Sequence, residues 1–219
     1  MIVTFKLAFW TTIFLLIVGV PLAYWLAHTK SRARVLFEAI VSMPLVLPPS
    51  VLGFYLLITF SKKNSAIGRY LDEHFDFQLV FSFEGLILGS VIFSLPFMVH
   101  PIQSGFSSLS VSLREAAATL GASRLKTLFF VLLPNMKSSL LTGIVLSFAH
   151  TVGEFGVVMM IGGSKPGVTK VASIAIYEEV EGLNYSLAHT YAFTLFAITF
   201  SLLICVYILN RRFARANAI

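Results

Sequence analysis

Ser112-Leu113-Arg114-Glu115-Ala116-Ala117-Ala118-Thr119-Leu120-Gly121, continuing through Arg124 and Lys126 to Val131-Leu132-Leu133-Pro134, is the most informative stretch of the chain. Ser112 and Glu115 have the spacing of a capping box, in which each side chain bonds the other's backbone N–H, so a helix is expected to start there. Alanines and leucines carry it forward, and Gly121 suits its end, where the backbone commonly turns left-handed. About two turns are too short to cross a bilayer, so the helix is expected to lie along a membrane face. Two readings of these residues stand side by side. Small alanines flanked by Arg114 and Glu115 make a rigid knob that a partner can approach closely; an ordinary amphipathic loop helix has the same composition.

The surroundings of this helix decide the fold class. The 219 residues are 57% hydrophobic and 12% charged, with a mean hydropathy of +0.87. Soluble domains carry roughly 25% charged residues, and a soluble fold of this size would lack the polar surface to cover itself. Crossing the hydrocarbon core takes about 20 apolar residues, and five stretches qualify, approximately 7–27, 35–60, 85–104, 138–161 and 190–210. The expected fold is all-α: a polytopic membrane protein forming one transmembrane domain over 1–219, with five transmembrane helices and the short helix at about 109–126. The first run is longer than the apolar core of a signal peptide and lacks a strongly basic start and an obvious cleavage site, so it is read as a span. Residues 168–180 are too few to span and end in Glu178-Glu179, which predicts a short external or partly inserted helix.

The formal net charge is +6. The basic residues fall in short clusters between apolar runs, a pattern of membrane topology and not of nucleic-acid binding. With five spans, Lys30, Arg32 and Arg34, then Arg114, Arg124, Lys126 and Lys137, then Arg211, Arg212 and Arg215 share one side. The positive-inside rule makes that side the cytoplasm. The N-terminus is then outside and the C-terminus cytoplasmic, with Lys6 a mild counter-signal. The other side carries Asp72, Glu73, Asp76, Glu178, Glu179 and Glu181. The single cysteine, Cys205, can form no disulfide within the chain and supports no cysteine metal site.

Two spans carry unusual residues. Met43-Pro44-Leu45-Val46-Leu47-Pro48-Pro49-Ser50-Val51-Leu52-Gly53 places three prolines within six residues, which should kink or break the helix. Broken backbone at membrane depth is tolerated only against protein or a polar cavity, and transporters build pathways from such interrupted helices; a plain structural kink is the other reading. The fourth span contains His150-Thr151-Val152-Gly153-Glu154-Phe155-Gly156. An intramembrane carboxylate is costly and marks a functional position by default, and Gly153 and Gly156 permit close helix approach or local unwinding. Pro44, Pro48, Pro49, Ser50, Gly53, Gly153, Glu154, Phe155 and Gly156 are therefore the pathway or gate candidates. Glu154 is expected to pair with a polar group on a neighbouring helix or with a backbone donor. His100 and His150 suit an anion contact or a proton relay, but a lone histidine in a helix is more often a satisfied packing residue, and they are read so.

Glu115-Ala116-Ala117, Gly121, Val131 and Leu133-Pro134 have the spacing of the EAA signature and resemble that motif of ABC importer permeases, with valine where isoleucine is commoner. The segments at 44–53 and 153–156, with Pro166-Gly167-Val168-Thr169 and Ala175-Ile176-Tyr177, are similar to those of molybdate importer permeases. The resemblance covers nearly the whole chain. Sulfate or thiosulfate permeases and tungstate permeases are its relatives and remain alternatives. The resemblance implies a type I ABC importer permease fold and a homodimer of the permease in the bilayer. It also implies two ATPase subunits on the cytoplasmic side and an external substrate-binding protein. Arg114, Glu115, Ala116, Ala117, Gly121, Leu133 and Pro134 would then form the ATPase-coupling segment. A carboxylate repels an anion, so Glu154 is expected to act in structure or gating.

No G-x-x-x-x-G-K-[ST] stretch occurs, so the chain offers no Walker phosphate loop of its own. It is expected to bind no cofactor and to be no enzyme, ATP and magnesium being used by the partner ATPase. Two rival classes differ in what they demand. A stand-alone secondary transporter needs several paired intramembrane charges, where this chain has Glu154 and little else. A membrane-embedded enzyme needs clustered His, Asp or Glu at one interface; Glu178-Glu179-Glu181 has no histidine partner nearby in sequence and reads as a solvated face.

Overall fold

Apolar chain inside a bilayer satisfies its backbone most simply as helix, and every regular element among the described residues is helical. The computed structural model describes residues 1–75 and 78–216, with side chains through Ile208. Asp76 lies outside the described residues, as do the side chains of Arg211, Arg212 and Arg215. Three helices are long and apolar enough to cross unbroken: α1 (Ile2–His28), α5 (Phe83–Ser108), and the Tyr185–Ile208 part of the last helix. Between α1 and α5 lie α2 (Ala33–Val46), α3 (Pro49–Phe60) and the short α4 (Ala66–Phe75). After α5 come α6 (Val111–Thr119), α7 (Arg124–Thr127), a π-helical turn Leu128–Leu132, and α8 (Leu133–Asn135). Then follow α9 (Lys137–Gly153), α10 (Gly156–Gly162), α11 (Ala172–Glu181) and α12 (Tyr185–Ala216). The chain bends by 112° between α2 and α3, and by 83° between 124–135 and α9. Counting each bent pair as one passage gives up to five, the number expected.

Several details differ from the sequence reading. The second and fourth runs are not continuous helices. The second breaks at Leu47-Pro48, both extended (ψ 136° and 134°), while Pro44 is accommodated inside α2 and Pro49 opens α3 at the N-terminal position that proline favours. The fourth breaks at Glu154-Phe155. The short helix α6 starts at Val111, and the expected capping box does not form. Ser110 supplies the same kind of oxygen two residues earlier, its Oγ accepting from the Ser112 N–H at 3.2 Å. Its end is as read: Gly121 has φ +74°, Ala122 N–H donates to the Ala117 carbonyl and Gly121 N–H to that of Ala118. That pair is the Schellman closure.

α5 is the mast of the bundle. α1 runs parallel to it: Lys6 Nζ sits 4.6 Å from the Phe83 ring centre at one end, and Tyr24 packs edge-on against Phe106 at the other. α2 runs antiparallel along the second half of α5, with Ser42 facing His100 and Glu38 facing Gln103. α9 and α10 are also antiparallel, passing Gly105, Met98, Ser94, Ser90 and Gly89 in turn. Two apolar clusters follow from this arrangement. One gathers Leu26, Val41, Met98, Ile102 and Met136; the other gathers Leu7, Leu56, Leu86, Val157 and Ile161. The first lies at the end where α1 finishes and α9 begins, next to the loop of Lys30, Arg32 and Arg34 and to α6 and α7. The basic clusters at 30–34 and 114–126 thus meet at one end of the mast. α12 leans on α9 and α11 and leaves Phe193, Phe196, Phe200 and Tyr207 more than half exposed.

Helix contact at Gly105 is close. A Cβ there would stand 2.6 Å from Ser139 Cβ and 2.7 Å from Met136 Cε. Gly105→Val should push α9 off the mast and cost about 1–3 kcal/mol by overpacking. Thermal unfolding of the detergent-purified protein checks this: a lower Tm is expected, and an unchanged Tm contradicts the packing.

Candidate functional site

The two broken passages meet. Gly156, first residue of α10, faces Pro49 so closely that a Cβ would lie 2.8 Å from Pro49 Cβ and 3.1 Å from the Ser50 nitrogen. One turn on, Gly53 of α3 faces the Val157 backbone, with 3.0 Å from a would-be Cβ to Val157 Cα. Glycine on both helices lets their backbones approach as membrane helices do at small residues. At this junction lies a cavity of about 650 Å³, lined by Pro49, Ser50, Phe93, Ala149, His150, Gly153, Glu154, Phe155 and Gly156. Six of the nine pathway candidates therefore share one wall. Of the others, Pro44 is buried within α2. Pro48 forms the break, its carbonyl accepting from Val51 and Leu52. Gly53 serves the α3–α10 contact.

Glu154 is 4% exposed, and it pins the fourth passage in two directions. Ser90 of α5 donates to its Oε2 at 2.6 Å, while Ser173 of α11 donates to its main-chain carbonyl at 2.5 Å. The pairing with a polar group on a neighbouring helix is as expected. Its Oε1 has no hydrogen-bond partner among the described residues. One turn toward the basic end, Ser94 Oγ lies 2.9 Å from His150 Nδ1 and 3.2 Å from Thr151 Oγ1. His150 also stacks on Phe97, ring centres 4.1 Å apart. Packing is thus part of its role, as read from the sequence, yet it also lines the cavity. Ser90, Phe93 and Ala149 were missed. The available signal was two serines at i and i+4 in the otherwise apolar stretch 85–99; their partners lie over fifty residues away in sequence.

The EAA-like segment gathers at the basic end. Arg114, Glu115, Ala116 and Ala117 lie on α6, Gly121 closes it, and Leu133-Pro134 open α8. Ala117 is buried, whereas Glu115, Ala116 and Ala118 are exposed. Leu120 is 87% exposed, and Leu125, Phe129 and Phe130 add to an uncovered apolar surface nearby.

At the opposite end, Pro166-Gly167-Val168-Thr169 forms a tight turn with Gly167 at φ +75°. It is closed by Thr169 Oγ1 donating to the Gly162 carbonyl at 2.8 Å. Ala175, Ile176 and Tyr177 lie on α11. The three glutamates read as a solvated face each have a partner. Glu178 pairs with Lys170, Glu179 accepts from Asn184 and Glu181 accepts from Tyr177. The Lys170 hydrogen bond, helped by Ser164, holds the Glu178 carboxyl below its ordinary range. That contribution is present above the ordinary carboxylate pKa and is lost as pH falls through the lowered value.

Residues 19–217 match the family described as binding-protein-dependent transport system inner membrane component. The chain belongs to that family. Among its relatives, the molybdenum transport system permease protein of Azotobacter vinelandii is 43% identical over 210 residues, covering 96% of this chain and 92% of that one. The sulfate transport system permease protein of Salmonella typhimurium is 33% identical over 213 residues, covering 97% and 76%. Among solved structures, a bacterial ABC transporter that imports alginate matches with TM-score 0.74 at 18% identity, covering 96% of this chain and 79% of that one. An inward-facing methionine ABC transporter matches with TM-score 0.68 at 16% identity, covering 98% and 92%. The fold is that of ABC importer permeases.

The Glu154 pin gives a direct test. Ser90→Ala should leave both carboxylate oxygens of Glu154 unpaired in the interior and cost about 1–3 kcal/mol. Adding Glu154→Gln to Ser90→Ala should cost less than the two single changes summed. A double-mutant cycle on Tm in detergent checks this, and strict additivity would sink the pairing.

Proposed function

We propose that this chain is the membrane-spanning permease subunit of an ATP-driven importer of molybdate, working as a homodimer with two cytoplasmic ATPases and an external substrate-binding protein. The observation that carries the proposal is the meeting of two interrupted passages at a cavity in a fold of importer permeases. The kinship with a molybdenum permease over nearly the full length of both chains supports the substrate. The subunit itself binds no cofactor in this reading; ATP and magnesium belong to the ATPase. Orientation follows from Lys30, Arg32, Arg34, Arg114, Arg124 and Lys126 at one end of the mast: that end is cytoplasmic, and the N-terminus is outside.

In this account α6 is the coupling helix. Its capped, alanine-faced cylinder and the exposed Leu120 offer the ATPase a stiff apolar knob, with Arg114 and Glu115 to set register. Gly121 lets the chain turn sharply, and the π-helical turn and then Leu133-Pro134 carry the displacement into α9. α9 ends at the Glu154 break, so movement at the basic end reaches the cavity through one helix. Pro49, Ser50, Gly153, Glu154, Phe155 and Gly156 form the gate region, with Pro44, Pro48 and Gly53 shaping the facing helices. Glu154 holds the break to α5 and α11 and does not coordinate the anion. Rigid-body rocking of two such subunits gives alternating access.

A sulfate permease is the second reading, favoured by the 33% identity noted above. Uptake of molybdate into proteoliposomes holding the full complex, in competition with tungstate and sulfate, separates them. Molybdate and tungstate should compete and sulfate should not; the reverse order overturns the substrate. For coupling, Glu115→Lys with Gly121→Val should lower uptake at least about tenfold while the permease still inserts. A β-branched residue at φ +74° is strained by about 1 kcal/mol or more even though nothing lies within 4 Å of that Cβ. Wild-type uptake by this double variant would remove the coupling role.

A further inference from the structure

We propose that one stripe of α5, through Phe93, Phe97, His100, Ser104 and Ser107, lines the route of the transported anion, and that its basic-end half is a transient site for a tetrahedral oxyanion held by neutral donors. This rests on the importer reading and adds a site to it.

The spacing of these residues, four, three, four and three apart, puts them on a single helix face. One end of the stripe, Phe93, lines the 650 Å³ cavity at the two breaks. The other end, His100, Ser104 and Ser107, lines a separate cavity of about 430 Å³ together with Glu38, Ser42 and Gln103. Between the two stands an aromatic clamp. The His150 ring lies 4.1 Å from that of Phe97 and 4.8 Å from that of Phe93. Two cavities on one helix face, separated by stacked rings, describe one route with one constriction.

The chemistry of the second cavity fits a passing oxyanion. Ser104 and Ser107 are exposed and have no hydrogen-bond partner among the described residues. Hydroxyls, an imidazole and an amide along one face of a span are ill placed against lipid and suit a watered path. Glu38 does not dominate the cavity: its Oε1 accepts from Arg34 Nε at 2.9 Å and from Gln103 Nε2 at 2.6 Å, so its charge is balanced and Gln103 is held still. Ser42 and His100 Nε2 are bonded to each other at 3.1 Å. What remains open to a ligand is a set of hydroxyl donors. Neutral hydrogen bonds are about half as strong as charged ones, and a conduit needs binding weak enough to release. An arginine here would trap the anion; two serines hold it briefly.

The test uses the complete transporter in proteoliposomes with molybdate as the probe. Ser104→Ala with Ser107→Ala should lower uptake about fivefold, the factor for one lost neutral hydrogen bond. Ser104→Thr with Ser107→Thr, which keeps both hydroxyls, should restore it, and Ser107→Asp should abolish it. Independently, in a Cys205→Ser background, the thiol of Ser107→Cys should react with an anionic methanethiosulfonate reagent from the cytoplasmic face. Its reaction rate should change with nucleotide. Wild-type uptake by the double alanine variant, or a thiol unreactive from both faces in every nucleotide state, overturns the stripe. A wild-type complex that imports sulfate and no molybdate overturns the substrate assignment instead, and the thiol measurement reads the stripe in either case.

Discussion

Backbone N–H and C=O groups at membrane depth have no water to bond, and this chain interrupts two of its passages regardless. How those interruptions are satisfied governs the rest of the structure. At the first, Pro48 and Pro49 have no N–H to strand. Leu47 N–H reaches back to Met43, and the Pro48 carbonyl accepts from two donors of α3. At the second, Glu154 N–H reaches back to Thr151, while its carbonyl takes the Ser173 hydroxyl. The first break is thus bridged by local groups and the second also by a serine of α11, and they abut the cavity through Pro49 and through Glu154 and Phe155.

The mast makes this affordable in packing terms. α5 stays unbroken despite Pro96 and Pro101, and the interrupted passages rest on it through two kinds of contact. Gly89 packs on Val157 of α10, Gly105 on Ser139 of α9, and Gly143 of α9 against the Met98 carbonyl of α5, so the helices approach closely. Ser90 and Ser94, with Glu154, His150 and Thr151 opposite, add directional bonds that fix rotation and height. Without a hydrophobic drive between helices in lipid, such close packing and hydrogen bonding set the arrangement. The same helix that anchors the breaks also lines both cavities, through Phe93 and through His100, Ser104 and Ser107, so support and the proposed pathway share one element.

Much of this was legible in the residues, for stated reasons. Span number came from length and composition, and the three prolines announced a break, but not which proline would end the helix. That depended on Pro49 being usable as a helix start while Pro44 found a buried place in α2. Gly121 as the end of α6 was readable because a left-handed closure needs glycine. The start was read two residues late because Ser110 and Ser112 offer the same oxygen and only local geometry chooses. Glu154 announced that it needed a partner, yet Ser90 is sixty-four residues away and no local pattern names it. The π-helical turn at Leu128–Leu132 carries no side-chain cap, and α4 went unread although Ser65 caps it, its Oγ accepting from the Ile67 N–H at 3.1 Å.

The proposed function turns on where α6 sits and what touches it. In a Cys205→Ser background, the exposed Ala118→Cys can be probed with a membrane-impermeant maleimide on intact cells and on inverted vesicles, with and without the ATPase subunit. The account predicts labelling only in inverted vesicles stripped of the ATPase, and protection when it is bound. Labelling from outside intact cells, or labelling indifferent to the ATPase, would contradict it.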